Sequence, residues 1–241
     1  FSKTVNGLPA NFEVVSTAID SVSGTLIEEA PLPGNALQVM YREDGRGNGS
    51  SNTGYFAHFR QGSLQSSTFA IENVVANQRI TIEAENINDT DVWLYQLNNG
   101  GLVEKIWTKV DSVEGNNAIY NSVNKSVRDF YVVQTRADDN ISMIFADGTF
   151  GNVPSGTFQA FYRTSANRPM RIKPDEITDV QVSIDYLSRT GKTETLTIGL
   201  ALKSAVTNAT TSESDVSIRA NAPQTYYTQN RMITGEDYNV Y

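Results

Sequence analysis

The stretch ISMIFADGTFGNVPSGTFQAFYRTS, residues 141–165, contains the pattern that decides the fold. Apolar and polar residues alternate in 141–145 and again in 156–163, and this period of two residues is typical of β-strands with one buried face. The segment between the runs holds a carboxylate that can accept backbone hydrogen bonds, glycines that permit positive φ, and a proline that stiffens the chain. These loop residues are Asp147, Gly148, Gly151, Pro154 and Gly156. The stretch therefore predicts a hairpin whose strands are joined by a structured loop.

Runs with the same period recur along most of the chain. In QRITIEAENI, residues 78–87, the side chains of Ile80, Ile82 and Ala84 fall on one face, as expected for a half-buried strand. Further strands are predicted within residues 36–42, 67–75 and 129–135. The sequence thus predicts a mainly β protein with a few short helices (α+β).

One more hairpin and two helices are predicted in the last third of the chain. Residues 179–202 have the pattern of a hairpin, with Gly191 able to take positive φ in the turn. Residues 211–222 start with Thr and Ser and are followed by Pro223, which predicts a helix that closes at the proline. Residues 231–241 have the pattern of a capped helix start. Because so short a helix has little stability alone, we expect the chain to be a piece of a longer polypeptide.

The chain has two irregular stretches, and the second of them divides it into two predicted β-rich modules. The polar, glycine-rich residues 44–54, DGRGNGSSNTG, predict a mobile hairpin tip in the first module. Residues 113–126 are also irregular and place a module boundary near residue 128. The predicted modules are residues 1–128 and 129–241, the second ending in the truncated helix.

The composition is acidic and lacks cysteine. The 241 residues include 19 Lys and Arg against 27 Asp and Glu, for a formal charge of −8. Nucleic-acid binding needs a basic face, and the densest basic stretch, residues 163–173, is favoured as a solvated loop, with phosphate or carboxylate binding as the alternative. The absence of cysteine excludes disulfides and thiolate metal sites, and no apolar run approaches the roughly 20 residues of a membrane span. We predict neither a nucleic-acid nor a membrane partner.

Residue types that carry catalysis or bind cofactors are few or wrongly spaced. The single histidine, His58, has no Gly-x-Ser-x-Gly nucleophile signature beside it, so a structural or surface histidine is favoured. The glycine-rich loop fails as a calcium loop, because Arg46 stands where an oxygen ligand is needed. Two carboxylate pairs are favoured as solvated charges over a glycosidase pair, and they are Glu83 with Glu85 and Asp138 with Asp139. We predict no enzymatic activity and no catalytic, metal-binding or cofactor-binding residue.

Two motifs together resemble the signature of the baseplate J-like family of contractile phage tails. The first matches the pattern strand, F-G-D-G, G-x-x-P-x-G, strand, Y-R, with Ala146 in place of the usual glycine. The second, near the end of the chain, matches R-x-x-A-P followed by R-x-x-T-x-x-D-Y. The residues that carry the resemblance are Asp147, Gly148, Gly151, Pro154, Gly156, Tyr162, Arg163, Arg219, Ala222, Pro223, Arg231, Thr234, Asp237 and Tyr238.

The resemblance implies a non-enzymatic structural protein of the virion, placed in the tail baseplate and assembled in the host cytoplasm. Such a baseplate wedge subunit forms a homodimer, joins a ring, contacts other wedge subunits, and acts as a hinge when the baseplate rearranges and the sheath contracts. The chain would be a central and C-terminal fragment of that subunit. Tyr226 and Tyr227, close to Pro223, are candidate interface residues, since aromatic side chains are enriched at interfaces; internal packing of both is the alternative.

A carbohydrate-binding or adhesion β-sandwich is the alternative function, with Trp93, Trp107 and the tyrosines as sugar platforms. A glycoside hydrolase fragment is the third alternative. The environment of Trp107 discriminates between the first two, because a core tryptophan is shielded from solvent whereas a sugar platform is exposed. We predict that Trp107 is buried.

Overall fold

The computed structural model describes residues 1–23, 26–32, 37–111, 128–136, 139–149 and 151–228. Strands far outnumber helices in these residues, which confirms the predicted mainly β class. The irregular stretch 113–126 and the helix start predicted at 231–241 lie outside the described residues.

The regular elements follow one another in the order below. The first nine strands are β1 (Ser2–Val5), β2 (Leu8–Val15), β3 (Thr17–Ile19), β4 (Leu26–Glu28), β5 (Met40–Arg42), β6 (Gly54–Phe56), β7 (His58–Gln61), β8 (Ser63–Ile71) and β9 (Arg79–Ile82). The next nine are β10 (Ile87–Leu97), β11 (Val103–Lys109), β12 (Phe130–Thr135), β13 (Ile141–Phe145), β14 (Gly156–Thr164), β15 (Met170–Ile172), β16 (Val180–Leu187), β17 (Thr193–Leu200) and β18 (Val206–Ala209). A single 3-10 turn, Pro174–Glu176, and one α-helix, α1 (Asp215–Thr228), complete the described elements.

Seven strands form one nearly closed sheet in the order β8-β14-β10-β11-β12-β13-β9. Alternate residues of each strand point to its inner face and bury a core, which includes Leu94, Ile141, Met143, Phe145 and Phe158. Trp107 is 4% exposed, and its ring packs edge-on against Phe145 and Phe158. The prediction that Trp107 is buried is confirmed, and Ile80, Ile82 and Ala84 all face the core as predicted, although Ala84 lies beyond the end of β9.

The hairpin predicted from residues 141–165 is wrong in its pairing, although both strands lie where the pattern placed them. β13 pairs with β12 and β9, and β14 pairs with β10 and β8, so three strands separate them in the sheet. The period of two residues specifies which face of a strand is buried but not which strand lies beside it. Residues 146–155 therefore connect two distant strands of the same sheet.

A second core lies between the first strands and the last ones. The sheet β1-β2-β7 packs against β15, β16 and the turn between them. The buried members are Val5, Ala10, Phe12, Met170, Ile172, Ile177 and Val180. The boundary predicted near residue 128 does not separate the two cores, because each core takes side chains from both predicted modules.

The predicted hairpin at 179–202 is confirmed. β16 and β17 pair antiparallel from Val180–Leu200 to Leu187–Thr193, and Gly191 has φ +75° in the turn. Residues 43–53 join the paired strands β5 and β6, so the glycine-rich stretch is a hairpin tip as predicted. The helix predicted to close at Pro223 instead continues to Thr228. Pro223 lacks an amide hydrogen and so costs the helix one backbone hydrogen bond, but the amides of the residues after it can still bond one turn back.

Candidate functional site

One arginine on the outer face of the large sheet is buried and bound to three carboxylates. Arg163, on β14, is 2% exposed. Its Nε donates to Glu13 Oε2 at 3.1 Å, its Nη2 donates to Glu28 Oε1 at 2.7 Å, and its Nη1 donates to Asp91 Oδ2. We call these four residues the Arg163 cluster. The carboxylates come from three other strands, β2, β4 and β10.

Strand alternation and one bulge place the members of the cluster. Tyr162 points into the core, so its neighbour Arg163 points to the opposite face. On β10 the pairing shifts register between Ile87, opposite Thr164, and Val92, opposite Tyr162. The residues between them on β10 face the single Arg163 of β14, and such a bulge re-aims side chains. Asp91, at the end of the bulge, thereby reaches the guanidinium.

The cluster keeps its arginine charged. Burial alone would lower the pKa of Arg163, but hydrogen bonds and charge from Glu28 and Asp91 outweigh it and raise the pKa above its usual range. Glu28 also accepts a 2.7 Å hydrogen bond from Nε of Arg60, an exposed residue of β7. The Arg163 guanidinium lies 5.5 Å from the centre of the Trp93 ring, a cation–π contact. Two cations thus pair with three carboxylates, and Glu28 binds both cations.

A polar cleft of about 590 Å³ opens beside the cluster. Asp89 and Asp91 on β10, Thr135 on β12, and the segment 209–212 lie on its walls. Thr135 donates to Asp89 at 3.3 Å, and Asp91 is bound to Arg163, so these carboxylates already have partners. No group of three or more His, Cys, Asp or Glu side chains that could hold a metal ion occurs in the part of the chain that the structure describes.

The loop residues of the first motif build a connection that is fastened at both ends. Asp147 accepts a hydrogen bond from the amide of Thr149 at 2.8 Å, as its predicted capping role requires. Gly148 and Gly156 have positive φ, at 94° and 97°, and Pro154 is fully buried. Gly151 has no positive φ and is instead in close contact with other residues, because a Cβ there would lie 2.4 Å from the Phe130 ring.

Side chains outside the motif hold this loop in place. Arg128, just before β12, donates to the carbonyl of Thr149 at 3.0 Å. Gln96 of β10 donates to the carbonyl of Ser155 at 2.9 Å and accepts from Nε1 of Trp107 at 3.2 Å. Tyr162, near the end of the strand that follows, is buried, with its hydroxyl 3.1 Å from Ser67 Oγ. The first motif therefore joins strands together rather than presenting reactive groups.

The described residues of the second motif lie on a different element from those of the first. Arg219, Ala222 and Pro223 lie on α1 and are exposed. Tyr226 and Tyr227 belong to the same helix by their backbone, and their side chains lie outside the described residues. Arg231, Thr234, Asp237 and Tyr238 also lie outside them. The interface prediction for Tyr226 and Tyr227 therefore stays a prediction.

The other sequence candidates have structural surroundings. His58 is half-buried in β7, and its backbone amide lies 3.4 Å from Thr17 Oγ1. Glu83 and Glu85 are exposed, in line with solvated charges. Asp138 lies outside the described residues, and Asp139 lines the polar cleft.

The solvated loop favoured for residues 163–173 is wrong at Arg163, which lies in β14 and is buried. Its guanidinium binds carboxylates of the same chain, and three strands supply them. Sequence reasoning missed those partners, Glu13, Glu28 and Asp91. Each of them has the pattern of a solvated strand charge, and no local signal distinguishes it from the other acidic residues.

The chain is a cysteine-free, mainly β protein. A buried ion cluster joins strands of its different sheets. A model of the family DUF8360, a domain of unknown function, matches residues 1–205, and the chain belongs to this family. No curated protein and no solved structure matches the chain. No helix among the described residues has the length and apolar character to cross a membrane.

Proposed function

We propose that the chain is a structural subunit of the baseplate wedge of a contractile phage tail, of the kind that forms the inner ring in T4-type tails. The observation that carries the proposal is the structural use of the first motif. Gly151 lets the loop contact Phe130 closely, and Arg163 binds strands β2 and β4 to the large sheet. Residues with such roles fit a protein that works by being rigid and by contacting its neighbours.

A ring that moves as a whole needs stiff bodies joined by contacts that can rearrange. The two cores and the Arg163 cluster between them give the stiff body, and exposed apolar side chains give possible contact surfaces. Among these are Val216 and Ile218 on α1, 79% and 46% exposed. In this proposal the subunit self-associates, contacts other wedge subunits, and has its place in the virion.

The sugar-binding alternative is weakened by the tryptophans. Trp107 is enclosed by the core, and Trp93 is half-buried beneath the Arg163 guanidinium. A sugar platform needs an open aromatic face, and neither ring offers one in this arrangement. The tryptophans therefore favour a structural role, whereas Tyr41, Tyr55 and Tyr186 are exposed and leave adhesion to the test that follows.

The test is the location of the protein in phage particles. Antibodies raised against the chain should label the tail tip in negative-stain electron microscopy of the particles that encode it, and pre-immune serum should not. Label on the capsid or along the tail tube, or absence of the chain from purified particles, would contradict the proposal. If the chain is absent from the particles and binds to immobilised glycans, the adhesion alternative would be favoured.

A second test addresses the candidate tyrosines. We expect Tyr226→Ser combined with Tyr227→Ser to weaken self-association by about tenfold or more, since truncation of an aromatic anchor costs about 2 kcal/mol. Light scattering over a concentration series measures the effect. The matched control is Tyr41→Ser with Tyr55→Ser, which removes two tyrosines exposed on the β5–β6 hairpin. A tyrosine variant that self-associates as strongly as the control would count against this interface.

A further inference from the structure

The large sheet is nearly closed, but its two end strands, β8 and β9, do not pair with each other, so β8 has an open edge. β8 pairs with β14 along its whole length of nine residues, from Ser63–Thr164 to Ile71–Gly156, and it is the end strand of the sheet. Its other edge carries backbone donors and acceptors that no strand of the described residues pairs. Ser66, Thr68 and Ala70 are exposed along it. An open edge of this length is a template for pairing with another strand.

The composition of β8 is unusual for an open edge. Its sequence, SLQSSTFAI, contains no charged residue and no proline, and these are the features by which proteins usually keep edges from pairing. Among the described end strands of five residues or more, the other two are β16 and β17, and they carry Asp185 and Glu194 respectively. The one long edge without charge is thus the edge of the largest sheet.

We propose that β8 pairs antiparallel with β8 of a second copy of this chain, so that the two large sheets become continuous across a two-fold axis. A two-fold axis places each residue near its own counterpart, so a charged edge would repel itself and an uncharged edge does not. The neutral composition of β8 therefore favours a second copy, whereas a charged partner strand would gain nothing from it.

The side chains of β8 suit this pairing. In a register centred on Ser67, Ser66 lies opposite Thr68 of the copy, and Gln65 lies opposite Phe69. Residues directly opposite in an antiparallel pair share a face, so the inner face of one sheet continues as the inner face of the other. Phe69, already stacked on Phe158 at 5.7 Å between ring centres, would stay on the core side. The exposed hydroxyls of Ser66 and Thr68 would line the outer side.

The inference rests on the proposed function only for its biological role, as one of the contacts by which a ring subunit self-associates. A ring of dimers needs two different contacts on each subunit, and β8 lies on a different element from Tyr226 and Tyr227. Failure of this pairing would leave the tail-tip location, tested by antibody labelling, unaffected.

The experiment places like charges across the proposed axis. In the register centred on Ser67, the double variant Ser66→Lys with Thr68→Lys puts a lysine of one copy opposite a lysine of the other. Both side chains are exposed, so the fold should survive. We expect self-association to weaken by about tenfold or more in light scattering, since like charges directly opposite destabilise strand pairs. The matched control, Gln181→Lys with Thr193→Lys, puts the same charge on exposed positions of β16 and β17.

A charge swap makes the result specific. Ser66→Glu with Thr68→Glu should also be defective alone, and an equimolar mixture of the Lys and Glu variants should regain association as a heterodimer. Hydrogen exchange of the β8 amides should slow with concentration in the wild type and not in the Lys variant. A monomeric wild type, a Lys variant that associates like the control, or a mixture that does not recover would each overturn the proposal.

Discussion

Replacing Arg163 with alanine is expected to lower the free energy of unfolding by about 3–5 kcal/mol, the range found when one partner of a buried ion pair is removed. The loss is large because Glu28 and Asp91 have side chains only 10% and 11% exposed. Without the guanidinium, Asp91 stays buried and loses its cation, and Glu28 keeps only its bond to the exposed Arg60. Urea unfolding followed by the fluorescence of the buried Trp107 measures the change.

The control for this prediction is Arg60→Ala. Arg60 bonds to the same Glu28 at the same 2.7 Å as Arg163 does, but its side chain is 53% exposed. An exposed ion pair contributes about 0–1 kcal/mol, so the two variants remove similar contacts in different surroundings. If Arg163→Ala costs no more than Arg60→Ala, the Arg163 cluster does not stabilise the fold as inferred.

The variant Arg163→Lys distinguishes the contribution of the positive charge from that of the shape of the guanidinium. Arg163→Lys keeps one positive charge but cannot reach three carboxylates with a planar fork of donors. We expect a stability between those of the wild type and the alanine variant. Hydrogen exchange should then report where the loss falls, with faster exchange in β2 and β4, which Arg163 fastens through Glu13 and Glu28.

The strands could be predicted because each is specified locally. Residues 141–145 match β13, and residues 156–163 match β14 to within one residue, since alternation requires only neighbours along the chain. Their partners could not be predicted, because pairing is a competition among all strands of the sheet. Hence the predicted hairpin became two strands separated by three others.

The Arg163 cluster could not be predicted from the sequence for the same reason. Its carboxylates stand 150, 135 and 72 residues from Arg163 in the chain. A charged residue on a strand is usually solvated, and only the packing of β2 and β4 on the sheet makes these three an exception. Residues 11–30, which supply two of them, hold the second half of β2 and then β3 and β4, which have three residues each and are too short for a clear period.

Gly151 shows a different limit of prediction from sequence. The need for a glycine in this loop could be predicted, but the physical reason for it could not. Glycines in this loop were expected to serve positive φ, and Gly148 and Gly156 do so. Gly151 is required by space instead: a Cβ there would lie 2.4 and 2.6 Å from two carbons of the Phe130 ring and 2.7 Å from the Cβ of Ala146. All three residues are buried, so no neighbour can move into solvent.

Gly151→Ala is therefore expected to destabilise the fold by about 1–3 kcal/mol, the usual cost of overpacking a core. Gly199→Ala is the matched control, because a Cβ at Gly199 would meet nothing within 4 Å. Urea unfolding of both variants tests the difference. A double-mutant cycle with Phe130→Leu tests the cause: if the ring is what the new methyl group meets, the alanine should cost less in the Phe130→Leu background, with a coupling of about 0.5 kcal/mol or more. A Gly151→Ala variant as stable as the Gly199→Ala control would mean that the loop relaxes around the methyl group. A destabilised variant whose effect is additive with Phe130→Leu would mean that Ala146, and not the Phe130 ring, is what the methyl group meets.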